Sequence, residues 1–249
     1  MLSTFLADLH LHTCLSPCAD LDMSPRDLVG AARARGLDII AITDHNSCEN
    51  VEASKRAAYG TGMTILGGME VSSSEEVHIL GLFNETGQML RMQDIIYENL
   101  PEQENDERLY GHQVIANEFN EVLAFNRRLL IAATKLNLRE LVETIHSLGG
   151  LAIASHIDRE SFSVLSQLGF IPADVRFDAL ELSPKMTRGL AEAQFKGLRN
   201  LPWVSFSDAH HVADIGRRVT TFRLKEPTLE EIRLALVKRD GRDTCWETE

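Results

Sequence analysis

Short apolar runs alternate with stretches of helical periodicity along much of the chain. Phe5 to Leu9 reads as a strand. Ser24-Pro25 then offers a helix N-cap followed by proline at the first helical position, and Gly36 closes that helix after Ala34 and Arg35. Leu37 to Thr43 is the next strand, so the opening unit is strand, helix, strand, the signature of a parallel sheet with right-handed crossovers. Further strand runs stand at Thr64 to Leu66, Val77 to Phe83, Leu151 to Ala154, Ala179 to Leu182 and Trp203 to Phe206. The clearest helix is Leu138 to Leu148, where Leu138, Leu141, Val142, Ile145 and Leu148 recur at helical spacing. Asn137 and Glu140 form a capping pair in front of it, and Gly149-Gly150 ends it. Between 84 and 135 the rhythm is lost: an acidic, proline-broken run (ENLPEQENDER) is followed by QVIA and EVLAF around an Asn-containing turn. That interval is expected to be an insertion carrying an acidic loop and a β-hairpin.

Length and charge narrow the picture. A chain of 249 residues can form a single α/β barrel domain spanning 1–249, and its 44% hydrophobic content is that of an ordinary globular protein. No apolar run is long enough to span a bilayer, and the first residues lack a charged stretch and a cleavage site, so a cytoplasmic protein without a membrane partner is expected. A net charge of −12 argues against a broad basic face for duplex DNA, because such affinity comes from Lys and Arg neutralising phosphates; a small phosphorylated or single-stranded substrate is compatible. Four cysteines, Cys14, Cys18, Cys48 and Cys245, are too few for a disulfide scaffold. Cys14 and Cys18 bracket the loop between His12 and Asp20 and are read as loop packing, with a metal or redox role as the alternative.

The chemistry concentrates at strand ends. His10, His12, His45, His78, His156 and His210 stand there, as do the carboxylates Asp20, Glu70 and Asp208. In a parallel barrel the loops after the strands converge on one face, and imidazole mixed with carboxylate suits zinc, iron or manganese better than magnesium. Alternation sends His10 and His12 to the same side, and Asp44 beside His45 can orient a neighbouring imidazole. His112 and His146 are expected to face solvent.

The motifs DLHLHTCLSPCAD, ITDHN, GMEVSSSEEVHILG, ASH and SDAHHVADIG together resemble, in order, those of the PHP (polymerase and histidinol phosphatase) family. The resemblance implies a distorted (β/α)7 barrel, a trinuclear centre of divalent ions at its C-terminal face, and phosphoester hydrolysis. Carried over, the metal ligands would be His10, His12, Asp20, His45, Glu70, His78, His156, Asp208 and His210, with Glu70 bridging. Two to three such ions would act as Lewis acids on phosphate oxygens and supply hydroxide near neutral pH. A metal-bound water, Asp44 or His211 could protonate the leaving group, while Arg159, Arg217 and Arg218 are candidates for phosphate contacts. A hydrolase cutting a C–N bond and a metal-stabilised regulatory module without turnover are the rival readings.

Overall fold

The computed structural model describes residues 1–246. In chain order the elements are β1 (Ser3–Leu11), α1 (Pro25–Ala34), β2 (Ile39–Ile42), α2 (Val51–Ala57), β3 (Thr64–Ser72), β4 (His78–Phe83), α3 (Thr86–Asn99), α4 (Glu107–Tyr110), β5 (Val114–Ala116) and β6 (Val122–Phe125). They continue with α5 (Leu138–Ser147), β7 (Leu151–Ala154), α6 (Val164–Leu168), β8 (Ala179–Leu182), α7 (Arg188–Gln194), β9 (Trp203–Ser205), β10 (Thr220–Leu224), α8 (Leu229–Leu236) and β11 (Asp243–Cys245).

The main sheet runs β11-β10-β1-β2-β3-β4-β7-β8-β9. It nearly closes on itself, because a parallel bridge joins Leu11 to Ala209 just beyond β9. His12 N donates to Ala209 O across that seam at 3.1 Å. The result is a distorted α/β barrel whose ring strands are β1, β2, β3, β4, β7, β8 and β9, with β10 and β11 added antiparallel outside β1. One ring strand is reversed: β4 is antiparallel to both β3 and β7. Its first residue, His78, pairs with Ser72 at the end of β3 and so reaches the same face as the ends of the parallel strands.

Local sequence explains the elements. Ser24 accepts from Asp27 N at the start of α1, with proline in the first turn, and Asn137 with Glu140 forms a reciprocal capping box on α5. The apolar stripe Leu138, Leu141, Val142 and Ile145 is buried, so truncating Leu141 to alanine would cost about 2–5 kcal/mol. Gly68 has no room for a side chain, since a Cβ there would meet Gly81 O at 2.6 Å. A register shift interrupts β1 between Asp8 and Leu11. Ala7 and Leu9 pack in a core cluster with Ile232 and Ala235 of α8, whereas Leu11 packs in another with Leu28 and Ile42. Such irregularities re-aim side chains, and here the shift falls at His10.

The interval read as losing its rhythm contains a regular helix, α3, which buries Met89, Met92 and Ile96. Within it β5 and β6 pair as a separate two-stranded sheet. Asn126 and Gln113 hold its base through paired bonds, Asn126 N to Gln113 O at 2.9 Å and Gln113 Nε2 to Asn126 O at 2.7 Å. Among the described residues no helix is long and apolar enough to cross a membrane.

Candidate metal centre

The strand ends at the C-terminal face of the barrel converge on Glu70. This carboxylate, 1% exposed, is surrounded by imidazoles: its Oε1 lies 3.4 Å from His10 Nε2, 3.2 Å from His78 Nδ1 and 3.2 Å from His156 Nε2. Its Oε2 lies 3.5 Å from His12 Nε2 and 3.4 Å from His45 Nδ1. The backbone of Glu70 is clamped as well, donating to Asp44 O and accepting from Asn46 N. Asp208 closes the opposite side, its Oδ1 3.3 Å from both His10 Nε2 and His12 Nε2.

Three groupings bring potential ligand atoms within 4.8 Å of one another: His10, His12 and Asp208; His45, Glu70 and His78; and His12, Cys18, His45 and His210. His156 adjoins the second through Glu70. His45 Nδ1, His78 Nδ1, His156 Nδ1 and Glu70 Oε1 are buried without a hydrogen-bond partner. Buried polar atoms left unpaired in such number cost several kcal/mol unless something else satisfies them. Divalent cations fit this donor set of imidazoles and carboxylates.

Electrostatics agree with that reading. Burial disfavours charge on Glu70, yet His78 and His10 hold its carboxyl well below the usual carboxylate range. Asp208 is likewise held well below its usual value, against burial, by His10 and His12. His10 is driven the other way: burial opposes its charge, but Glu181, Asp208 and Glu70 keep its proton well above the usual imidazole range. Burial and the neighbouring His210 push His12 down to about 4, and burial lowers His45 well below normal. His12 and His45 are thereby disposed to offer neutral ring nitrogens, the form in which imidazole would hold a cation.

Two buried carboxylates orient the ring nitrogens. Glu181, on β8, contacts His10 Nδ1 with both oxygens at 3.0 Å and accepts from His156 N at 3.1 Å. Asp44 is fully buried and accepts from Thr13 N, Thr13 Oγ1 and Ser16 Oγ at 2.6–2.7 Å. Ser16 gives its one proton to Asp44, so His12 Nδ1–H donates to Ser16 Oγ and His12 Nε2 carries the lone pair. Burial, opposed by the bonds from Ser16 and Thr13, raises the Asp44 carboxyl to about 6. Asp8 anchors the loop after β9 instead, accepting from Ser207 N and Gly216 N. His156 and Asp208 have left-handed backbones, with φ of 27° and 48°. Strain of about 1–3 kcal/mol per residue is characteristic of positions whose side chain must point into a site.

Several sequence-predicted residues sit elsewhere. Asp20 is separated from the cluster: its side chain is half exposed and its Oδ2 bonds His211 Nδ1 at 2.6 Å. The reason is the turn after Ser16, which projects Cys18 towards the imidazoles while Asp20 N is tied to His210 O. Asp44 lies fully buried beneath the cluster, its side-chain oxygens taken up by Thr13 and Ser16. Arg159 pairs with Asp208 and is partly exposed, whereas the neighbouring Asp158 accepts from Ser183 N and Oγ. Arg217 is engaged by Ser207 O and Asp214, and Arg218 by Ser205 Oγ, Met186 O and the Trp246 ring. His146 is bonded to Asp178 and His112 to Glu107, so both have partners at partly exposed positions. Glu181 escaped the sequence reading altogether; its one signal was an acid inside the apolar run ALEL.

The chain is similar to a 5'-3' exoribonuclease of Haemophilus influenzae, 27% identical over 188 residues that cover 60% of this chain and 68% of that protein. It is 36% identical over 78 residues to a 3',5'-nucleoside bisphosphate phosphatase of Chromobacterium violaceum, covering 30% of this chain and 26% of the phosphatase. In fold it is similar to the crystal structure of a lesion-specific endonuclease from Pyrococcus furiosus, with a TM-score of 0.74 and 19% identity. That alignment takes in 97% of this chain but spans only 58% of the endonuclease chain. The PHP domain model matches residues 8–226, and the chain belongs to the PHP domain family.

Proposed function

We propose that this protein is a metal-dependent phosphoesterase that hydrolyses the phosphate group of a nucleotide, an oligonucleotide end or a small phosphorylated metabolite. Membership of the PHP family and the hydrolase names of its relatives support phosphoester hydrolysis in general. The observation that carries the reading is the buried Glu70 ringed by five imidazoles, several with unpaired nitrogens. His10, His12, His45, Glu70, His78, His156, Asp208 and His210 would hold two to three ions, of zinc, iron or manganese. When bound, these ions supply Lewis acidity towards phosphate oxygens and lower the pKa of water.

The chain's own residues do the rest. Glu181 and Ser16 fix the ring orientation of His10 and His12, so that their Nε2 lone pairs face inward. Arg159, anchored on Asp208 and partly open to solvent, offers its remaining N–H groups to a phosphate oxygen. His211, exposed and bonded to Asp20, is the proton donor for the leaving oxygen, and Asp20 raises its affinity for that proton. The net charge of −12 favours a small nucleotide or a single-stranded end over a long duplex.

Phosphate release from nucleoside bisphosphates, 5'-phosphorylated single strands and sugar phosphates, with and without chelator, tests this reading. Chelator-sensitive turnover of at least one class is expected. Metal-loaded protein inert to all of them, or turning over amides instead, would replace it with the regulatory or C–N hydrolase reading.

A further inference from the structure

We propose that Cys18, and not Asp20, is a metal ligand of this centre, its thiolate joining His12, His45 and His210 around one cation. The proposal rests on the reading of the cluster as a metal centre and adds to it a sulfur donor. The Cys18 Sγ and one ring nitrogen from each of these histidines lie within 4.8 Å of one another. The geometry around them is fixed by bonds outside the grouping. His12 Nδ1 is held by Ser16 Oγ at 3.0 Å, and His210 Nδ1 by Asp208 O at 2.9 Å. His45 is 4% exposed, and its Nδ1 is buried without a hydrogen-bond partner. The turn bearing Cys18 is closed by Ala19 N to Ser16 O at 3.0 Å and by Asp20 N to His210 O at 2.9 Å. The same bonds that aim Cys18 inward turn the Asp20 side chain out to His211.

Three imidazoles and one thiolate would make a four-donor nitrogen and sulfur set, which suits zinc, cobalt or iron and disfavours magnesium. The thiolate supplies the single negative charge that a carboxylate would have brought. Binding is balanced by release of the thiol proton to solvent as the S–metal bond forms. Cys14 has no such placement: it is buried with Val114 and Ala116, and its Sγ contacts Val114 O.

The test is cobalt substitution of the chelator-stripped chain, followed by absorption spectroscopy. The wild type, Cys14→Ser and Asp20→Asn are expected to show the near-ultraviolet band of thiolate-to-cobalt charge transfer, and Cys18→Ser to lose it. In the unsubstituted chain, stoichiometric zinc is expected to slow alkylation of the Cys18 thiol by at least tenfold. Cobalt uptake without the band, a band that persists in Cys18→Ser, or alkylation indifferent to zinc would overturn the proposal while leaving the metal centre standing. Failure to take up cobalt at all would overturn both.

Discussion

Both oxygens of Glu181 lie 3.0 Å from His10 Nδ1, which makes this buried carboxylate the partner that aims the His10 lone pair at the centre. Glu181→Gln keeps the shape but presents an amide whose NH2 end cannot accept. Loss of such an orienting partner typically lowers metal affinity about 10- to 100-fold. Titration of stripped protein with zinc against a competing chelator checks this, with far-ultraviolet circular dichroism to confirm an intact fold. Unchanged affinity would mean that His10 is oriented by packing alone.

The path from sequence to site was legible where polar residues interrupt apolar strands. His10, His45, Glu70 and Asp208 each stand in or just beyond a strand with an apolar run, and the structure gathers them at one face. His78 was read with the other strand-end histidines although it opens its strand, and the reversal of β4 is what puts that start where the others end. Glu181 was hidden because a single acid in ALEL is also what a half-exposed strand would show. The helix α3 was hidden because only Met89, Met92 and Ile96 mark its buried face, in a stretch otherwise rich in polar side chains. Whether Cys18 or Asp20 turns inward depends on backbone bonds across to His210, which no local spacing encodes.

Arg159→Ala should raise KM for phosphoesters about tenfold or more while leaving metal content unchanged. The guanidinium pairs with Asp208 from a partly exposed position, so on the proposed reading its removal takes away a substrate contact without removing a ligand. Steady-state kinetics with elemental analysis on the same sample decides it. A KM equal to that of the wild type would mean the arginine serves only to brace Asp208.

His211→Ala should slow alkyl phosphoesters about 10²-fold and leave p-nitrophenyl phosphate nearly untouched, because a nitrophenolate departs without needing a proton. The exposed His211–Asp20 pair is the geometry behind this expectation. Equal losses on both substrates would assign His211 a structural role.

Glu231 and Arg242 join α8 to the residue preceding β11 through a two-pronged pair, Nε to Oε2 and Nη2 to Oε1, each 2.7 Å. The arginine holds the Glu231 carboxyl down to about 2, from an ordinary 4.5. A depressed folded-state pKa contributes stability that is fully present above about 4.5 and is lost as pH falls through about 2. Glu231→Gln should therefore destabilise the fold by on the order of 3 kcal/mol at neutral pH. The difference in Tm from wild type should shrink steadily as the pH is lowered below 4.5. A pH-independent difference would show that the pair acts through packing.

The most direct measurement is elemental analysis of freshly purified wild type, His45→Ala and Asp208→Ala, each coupled to phosphate release from the nucleotide and sugar phosphate panel. Two or three divalent ions per wild-type chain, with metal content and chelator-sensitive turnover falling together in both variants, is the expected result. Either variant retaining its full metal complement and full activity, or a metal-loaded wild type that releases no phosphate from any substrate, would contradict the assignment of this face as a phosphoester-hydrolysing metal centre.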